Sequence, residues 1–231
     1  MRLRSIYKRL LAFHGPQGWW PIVNPRTLVS EYFVNAPRDG HDFFEIAAGA
    51  ILTQNVSWSN AEKAIAALKK NKLLDPVSIR KISTGRLAGM IRPAGYYNQK
   101  AGKIKHFTAW YRRYDFRYDE LLGRGTSELR AELLSLNGVG PETADSILLY
   151  GLNRKVFVID AYTRRIFTRL GIFAGNEKYH EMQDIFHANF KGTLQEYNEY
   201  HALIVAHGKD YCKKKAKCAV CYLSGRCDKK I

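Results

Sequence analysis

The chain has 231 residues, 46% hydrophobic and 25% charged, an ordinary globular mix long enough to bury a sizeable core in one or two domains. Lysine and arginine number 37 against 21 acidic residues, a formal charge of +16. That balance favours a polyanion, DNA or RNA first and an anionic membrane surface second, with a generally basic proteome as the bland alternative. No segment approaches the ~20 apolar residues of a membrane span.

The N-terminus, MRLRSIYKRLLAFHG, interleaves basic residues with Leu3, Ile6, Leu10 and Leu11. This is the pattern of an amphipathic helix, not the continuous apolar stretch of a signal peptide, so a cytoplasmic, nucleoid-associated protein is expected. Gly18-Trp19-Trp20-Pro21 follows. Two adjacent indoles cannot share one helix face, so either one lines a cleft or both are packing residues. Residues 22–41 read as a connection rich in Pro and Asn. Asp42 then starts a small-residue helix with Phe43, Ile46, Ala47, Ala50 and Ile51 on one face, ending at Thr53-Gln54-Asn55. Ser59 and Glu62 have the spacing of a capping box, with Trp58 just ahead of it.

Short helices around 78–82 and 87–91 stop at Arg92-Pro93-Ala94-Gly95. The next helix places Tyr97, Ala101, Ile104, Phe107 and Tyr111 on one face. Residues 115–125 read as a loop, and Ser127 as the cap of a helix leading to Gly138-Val139-Gly140. A glycine turn opening a helix presents bare N–H groups that suit a phosphate, although such turns are common. The run Val156-Phe157-Val158-Ile159 has strand composition but no partner, and it delivers a carboxylate, Asp160. Helices at about 161–170, 177–189 and 194–207 complete an all-α pattern.

All four cysteines lie at the C-terminus, Cys212, Cys218, Cys221 and Cys227, spaced C-x5-C-x2-C-x5-C. Such crowding in a reducing compartment reads as metal ligation. Spacing alone leaves zinc and an iron–sulfur cluster open.

The order Leu136-x-Gly138-Val139-Gly140-x-x-Thr143-Ala144, then Val158-Ile159-Asp160, then four cysteines preceded by His207-Gly208, resembles the helix-hairpin-helix DNA glycosylases of the endonuclease III superfamily, from about Phe43 to Cys227. The resemblance implies two helical domains flanking a DNA-binding cleft: a six-helix domain at 36–153 with the hairpin, and a second of 154–231 packing with 1–35. It also implies a [4Fe-4S] cluster on the four cysteines, although the first spacer is one residue shorter than the family's form. Gly138, Val139, Gly140 and Thr143 would hold a backbone phosphate, often with a monovalent cation. Gln54 matches the wedge that fills the gap left by a flipped base, against a reading as an exposed helix-terminal glutamine. Lys213, Lys214 and Lys215, with Lys217, would grip phosphates or simply be a solvated charge run.

Asp160 matches the catalytic carboxylate, against a plain helix N-cap. Such a carboxylate stabilises the positive charge that builds on the sugar, or activates water. Strand-cleaving members carry a lysine nucleophile where this chain has Glu142, which implies a monofunctional glycosylase. Trp19, Trp20, Trp58 and Pro93-x-Gly95-x-Tyr97-Asn98-Gln99-Lys100 look most like bacterial 3-methyladenine glycosylases of the endonuclease III type, whose aromatics at those three tryptophan positions form the base pocket. A cationic alkylpurine stacks well on such faces. The expected partner is damaged double-stranded DNA, bound by a monomer. Glycosylases for thymine, uracil or hypoxanthine, and a non-catalytic DNA-binding protein, are the alternatives.

Overall fold

The computed structural model describes residues 2–33 and 36–228, apart from the side chain of Arg226. The chain forms two compact units, Met1–Trp19 with Lys155–Ile231, and Trp20–Arg154. Each is helical, and among the described residues no helix is long and apolar enough to cross a membrane. The all-α expectation holds, with one two-stranded hairpin added.

The second unit begins with that hairpin, β1 (Pro21–Val23) antiparallel to β2 (Ser30–Tyr32), in the tract expected as a linker. Three residues per strand are too few to show an alternation in sequence. The hairpin is held from outside: the Val23 amide donates to Glu45 at 2.6 Å, and the Ser30 amide to Glu62 at 3.0 Å. Glu62 is therefore not in a capping box. Helix α3 (Trp58–Lys70) starts one residue before Ser59, after Ser57.

Helix α2 (Gly40–Leu52) is the centre of this unit, buried from Asp42 to Leu52. It starts two residues earlier than expected, because Asp39 caps it by accepting from the amides of His41 and Asp42. Burying a carboxylate is costly without partners. Asp42 therefore takes Arg38 at 2.7 Å and Glu45 takes Lys69 at 2.5 Å. Against α2 lie α3 and α6 (Tyr97–Tyr111), and the short α4 (Pro76–Lys81) and α5 (Thr84–Met90) pack on α6. A further short helix, α7 (Tyr118–Leu122), occupies the tract expected as a loop. Then come α8 (Thr126–Leu134), which starts after Gly125 and before the expected cap Ser127, and α9 (Pro141–Ser146). A π-helical turn, Ile147–Gly151, ends the unit.

In the first unit, α1 (Arg2–His14) buries Leu3, Ile6, Tyr7 and Leu10, the 3-4 spacing of one helical stripe. It packs on α11 (Tyr179–Asn189) and α12 (Leu194–Asp210), and α10 (Ala161–Arg169) packs on α12. The core is aromatic. Phe157 stacks on Phe186 with centroids 3.6 Å apart, and Tyr200 meets Tyr7, Phe167, Phe186 and Phe190 while its hydroxyl donates to Leu3 O at 2.9 Å. The run 156–159 belongs to no helix and joins no sheet.

Candidate functional site

In the second unit, the hairpin between α8 and α9 is shaped by Gly138. Its φ of +85° lies in the left-handed region, and a Cβ there would meet the Lys103 stem at 2.4 Å. Conformation and space therefore both require glycine. The Val139 amide is used inside the turn, on Leu136 O at 3.0 Å. Gly138 and Gly140 are exposed, Val139 and Thr143 buried.

Gln54, just beyond α2, reaches this hairpin. Its Nε2 donates to Gly138 O at 3.0 Å and Thr143 Oγ1 at 2.8 Å, while its Oε1 accepts from Lys103 Nζ at 2.6 Å. Gln54 is half-buried and tied to the hairpin, not a dangling helix-terminal side chain. The α8–α9 corner is braced by Arg130, which holds the fully buried Asp145 through two bonds of 2.7 and 3.1 Å. Glu142 is exposed in the first turn of α9.

Trp20 and Trp58 come together edge to face, centroids 5.5 Å apart, and Trp20 also meets Tyr150 at 5.2 Å. Trp20 is 6% exposed and closes against Gly49, where a Cβ would approach its indole at 3.3 Å. Trp58 is half-buried. Trp19 falls in the other unit, half-buried, with its ring edge-on to His201 at 6.1 Å.

Asp160 is the N-cap of α10, with Oδ1 accepting from the Thr163 amide at 2.7 Å. Both sequence readings of this residue thus bear on one side chain, because the cap uses one oxygen only. Oδ2 lies 3.8 Å from Nε2 of His201, and the Asp160 side chain is 12% exposed. Burial pushes the His201 pKa down, with the Asp160 charge opposing. Burial thus favours the neutral imidazole of His201 beside Asp160.

The four cysteines all line one cavity, with Arg169, Tyr211, Ala216, Lys217 and Ser224. Among the described residues no three His, Cys, Asp or Glu side chains are arranged to hold a single metal ion. The loop is held from α10. Arg165 donates to Cys212 O at 2.8 Å, and Arg169 to Lys213 O at 2.7 Å, Lys214 O at 3.0 Å and Cys212 Sγ at 3.4 Å. His207 Nε2 lies 3.4 Å from Cys221 Sγ. The glycine after it is required, since a Cβ at Gly208 would meet the Tyr162 ring at 2.3 Å. Lys213, Lys214, Lys215 and Lys217 are exposed.

Sequence reasoning named Lys100 only as the end of the Pro93–Lys100 motif and passed over Lys103 and His201. Lys100 is 1% exposed and donates to Leu52 O at 2.8 Å and Ala94 O at 2.7 Å, joining the end of α2 to the turn before α6. Its place four residues before Ile104, on the apolar side of α6, was the available signal. His201 likewise sits four residues after the buried Tyr197.

The HhH-GPD superfamily of base excision DNA repair proteins matches residues 48–191. A putative DNA repair glycosylase of Methanocaldococcus jannaschii is 45% identical over 225 residues, covering 96% of this chain and 94% of its own. Among solved structures, the Helicobacter pylori 3-methyladenine DNA glycosylase bound to 1,N6-ethenoadenine aligns with a TM-score of 0.71 and 26% identity, over 90% of this chain and 97% of that one. A trapped endonuclease III–DNA covalent intermediate aligns with a TM-score of 0.74 at 18% identity, over 99% and 95%, a likeness of fold. With a hairpin built around Gly138, an Asp160 cap and a match across more than half its length, the chain belongs to the HhH-GPD superfamily, the base-excision DNA glycosylases related to endonuclease III.

Proposed function

We propose that the protein is a monofunctional DNA glycosylase that removes alkylated purines of the 3-methyladenine type. The observation that carries this reading is the Asp160 carboxylate, with Oδ1 fixed by the Thr163 amide and Oδ2 left outside the cap. The target base must leave the stack before its glycosidic bond can be reached. As that bond breaks, its electrons go to the purine nitrogen and positive charge builds on the sugar, as in an oxocarbenium-like transition state. An ionised Asp160 stabilises that charge and takes the proton of the attacking water. An N-alkylated purine is already cationic, so it departs neutral without a dedicated acid.

The indoles of Trp20 and Trp58, which meet within the second unit, support an alkylpurine, since a cation over an indole face gains ~0.5–2 kcal/mol. The structural likeness to a 3-methyladenine glycosylase at 26% identity supports it too. Glu142 carries no amine to attack the sugar, which supports hydrolysis without strand cleavage. The bound DNA is assigned as damaged duplex, held by a monomer. Gln54 is the assigned wedge, and leaving the hairpin for the duplex would break its bonds to Gly138 and Thr143. The amides of Gly138 and Gly140 are assigned to a backbone phosphate. A monovalent cation at the hairpin belongs to the same reading and is tested by comparing DNA affinity in potassium and sodium.

Four thiols around one cavity suit a [4Fe-4S] cluster, in which each iron takes one thiolate. Cys212, Cys218, Cys221 and Cys227 would hold it, and it would supply a structural brace for the loop. Visible absorbance with four irons per chain supports the cluster, and bound zinc overturns it.

The deciding experiment is a panel of single-lesion duplexes and methylated DNA. Release of 3-methyladenine, abolished in Asp160→Asn and without borohydride trapping, is expected. Excision confined to thymine, uracil or hypoxanthine overturns the substrate, and trapping of the wild-type protein overturns the monofunctional assignment. DNA affinity with no excision by the wild-type protein would make it a binding protein.

A further inference from the structure

The run 156–159 belongs to no sheet among the described residues, yet Val156, Phe157, Val158 and Ile159 are all buried. A buried extended backbone needs partners for its N–H and C=O groups, which a neighbouring strand would ordinarily supply. Here side chains of α11 supply three of them. Gln183 Nε2 donates to Phe157 O at 2.6 Å, the Phe157 amide donates to His187 Nε2 at 3.0 Å, and the Ile159 amide donates to the Tyr179 hydroxyl at 3.3 Å.

The three side chains stand four residues apart, so they form one stripe along α11. The spacing matches the run. Four helical residues rise about 6.0 Å, and two extended residues span about 6.6 Å. Residues 183 and 187 thus meet Phe157 while 179 meets Ile159, and the helix face stands in for an antiparallel strand. Phe157 is locked sideways by its 3.6 Å stack on Phe186, from the same helix. The next residue after the run is Asp160.

We infer that Tyr179, Gln183 and His187 are positioning residues that clamp the 156–159 backbone and thereby fix where Asp160 presents its second oxygen. The inference rests on the reading of Asp160 as the catalytic carboxylate. The clamp touches no substrate and acts through the backbone. His187 acts as an acceptor, so its Nε2 carries no proton while the clamp is closed.

The test compares Gln183→Met, His187→Leu, His187→Gln, Tyr179→Phe and Asp160→Asn in the full-length protein. Three readouts are taken: single-turnover excision on methylated duplex DNA, affinity for an abasic-site duplex, and hydrogen exchange at the Phe157 and Ile159 amides. Displacement of a reacting group by an ångström costs up to about 100-fold in rate. Gln183→Met and His187→Leu should therefore lose about 10- to 100-fold in single-turnover rate with DNA affinity unchanged. His187→Leu should also expose the Phe157 amide to exchange. His187→Gln, which keeps an acceptor, should restore both.

Wild-type rates in these variants, beside an inactive Asp160→Asn, overturn the inference alone. Wild-type excision by Asp160→Asn removes the catalytic reading and the inference with it. If Gln183→Met and His187→Leu unfold, shown by loss of protection throughout the chain, Tyr179→Phe decides. It should free the Ile159 amide and lower the rate, and an unchanged rate overturns the inference.

Discussion

Lys100 is the residue at which burial and charge press hardest on one another. Its ammonium donates to two carbonyl oxygens, and burial, aided by the nearby Lys103, brings its pKa down from 10.5 to about 8. Between about pH 8 and 10.5 the unfolded chain binds a proton there that the folded chain does not, so the cost of burying the charge is relieved as pH rises. The full interval is worth roughly 3 kcal/mol. The deprotonated amine still has two N–H bonds for Leu52 O and Ala94 O, so the geometry survives. Urea midpoints of wild type and Lys100→Met, measured from pH 7 to 10.5, should diverge in favour of wild type across that window. Parallel curves would show that the group keeps its ordinary pKa. Asp160 was legible in sequence because it follows an apolar run and a glycine hairpin in order. Lys100 was not, because a lysine on a helix reads as solvent-facing until the carbonyls above it are placed.

At the scale of elements, the hairpin shows what sequence can and cannot specify. Gly138-Val139-Gly140 announces a turn, and the structure adds why the first glycine cannot be replaced: the Lys103 stem fills the space a Cβ would need. The Arg130–Asp145 brace was invisible, since fifteen residues separate partners whose helices meet only after the turn is made. Asp145 has no exposed side-chain surface, whereas Arg130 keeps 28%. Removing either partner is therefore not equivalent. Arg130→Met strands a buried carboxylate, which costs about 3–5 kcal/mol. Asp145→Ala leaves an arginine that can turn to water and should cost less. Denaturant midpoints for the two variants check the order, and equal losses would mean that Asp145 draws most of its support elsewhere. The β-hairpin and α7 escaped notice for a related reason. Each is too short for a period to develop, and the hairpin is fixed by Glu45 and Glu62 from distant helices.

For the whole molecule, long-range closure and net charge answer different questions. The first unit is assembled from both ends of the chain: the Tyr200 hydroxyl meets Leu3 O, Glu199 receives the amides of Gln17 and Gly18, and Arg4 pairs with Glu196. None of these pairings leaves a mark in local sequence, although the apolar stripe of α1 showed that it must pack somewhere. The charge of +16 was legible at once and bears on binding, not on fold. A protein that neutralises phosphates releases counter-ions, so the logarithm of its affinity falls with the logarithm of salt at a slope of about −0.9 for each phosphate contacted. If the exposed Lys213, Lys214 and Lys215 each grip a phosphate, replacing all three by alanine should reduce the slope by about 2.7. A solvated run would instead weaken binding through diffuse attraction and leave the number of released ions nearly unchanged. Titrations of undamaged duplex at several salt concentrations separate the two, because slope counts contacts while affinity at one salt does not. The backbone carbonyls of Lys213 and Lys214 are held by Arg169, so the substitutions remove charge while leaving the anchored path of the loop in place.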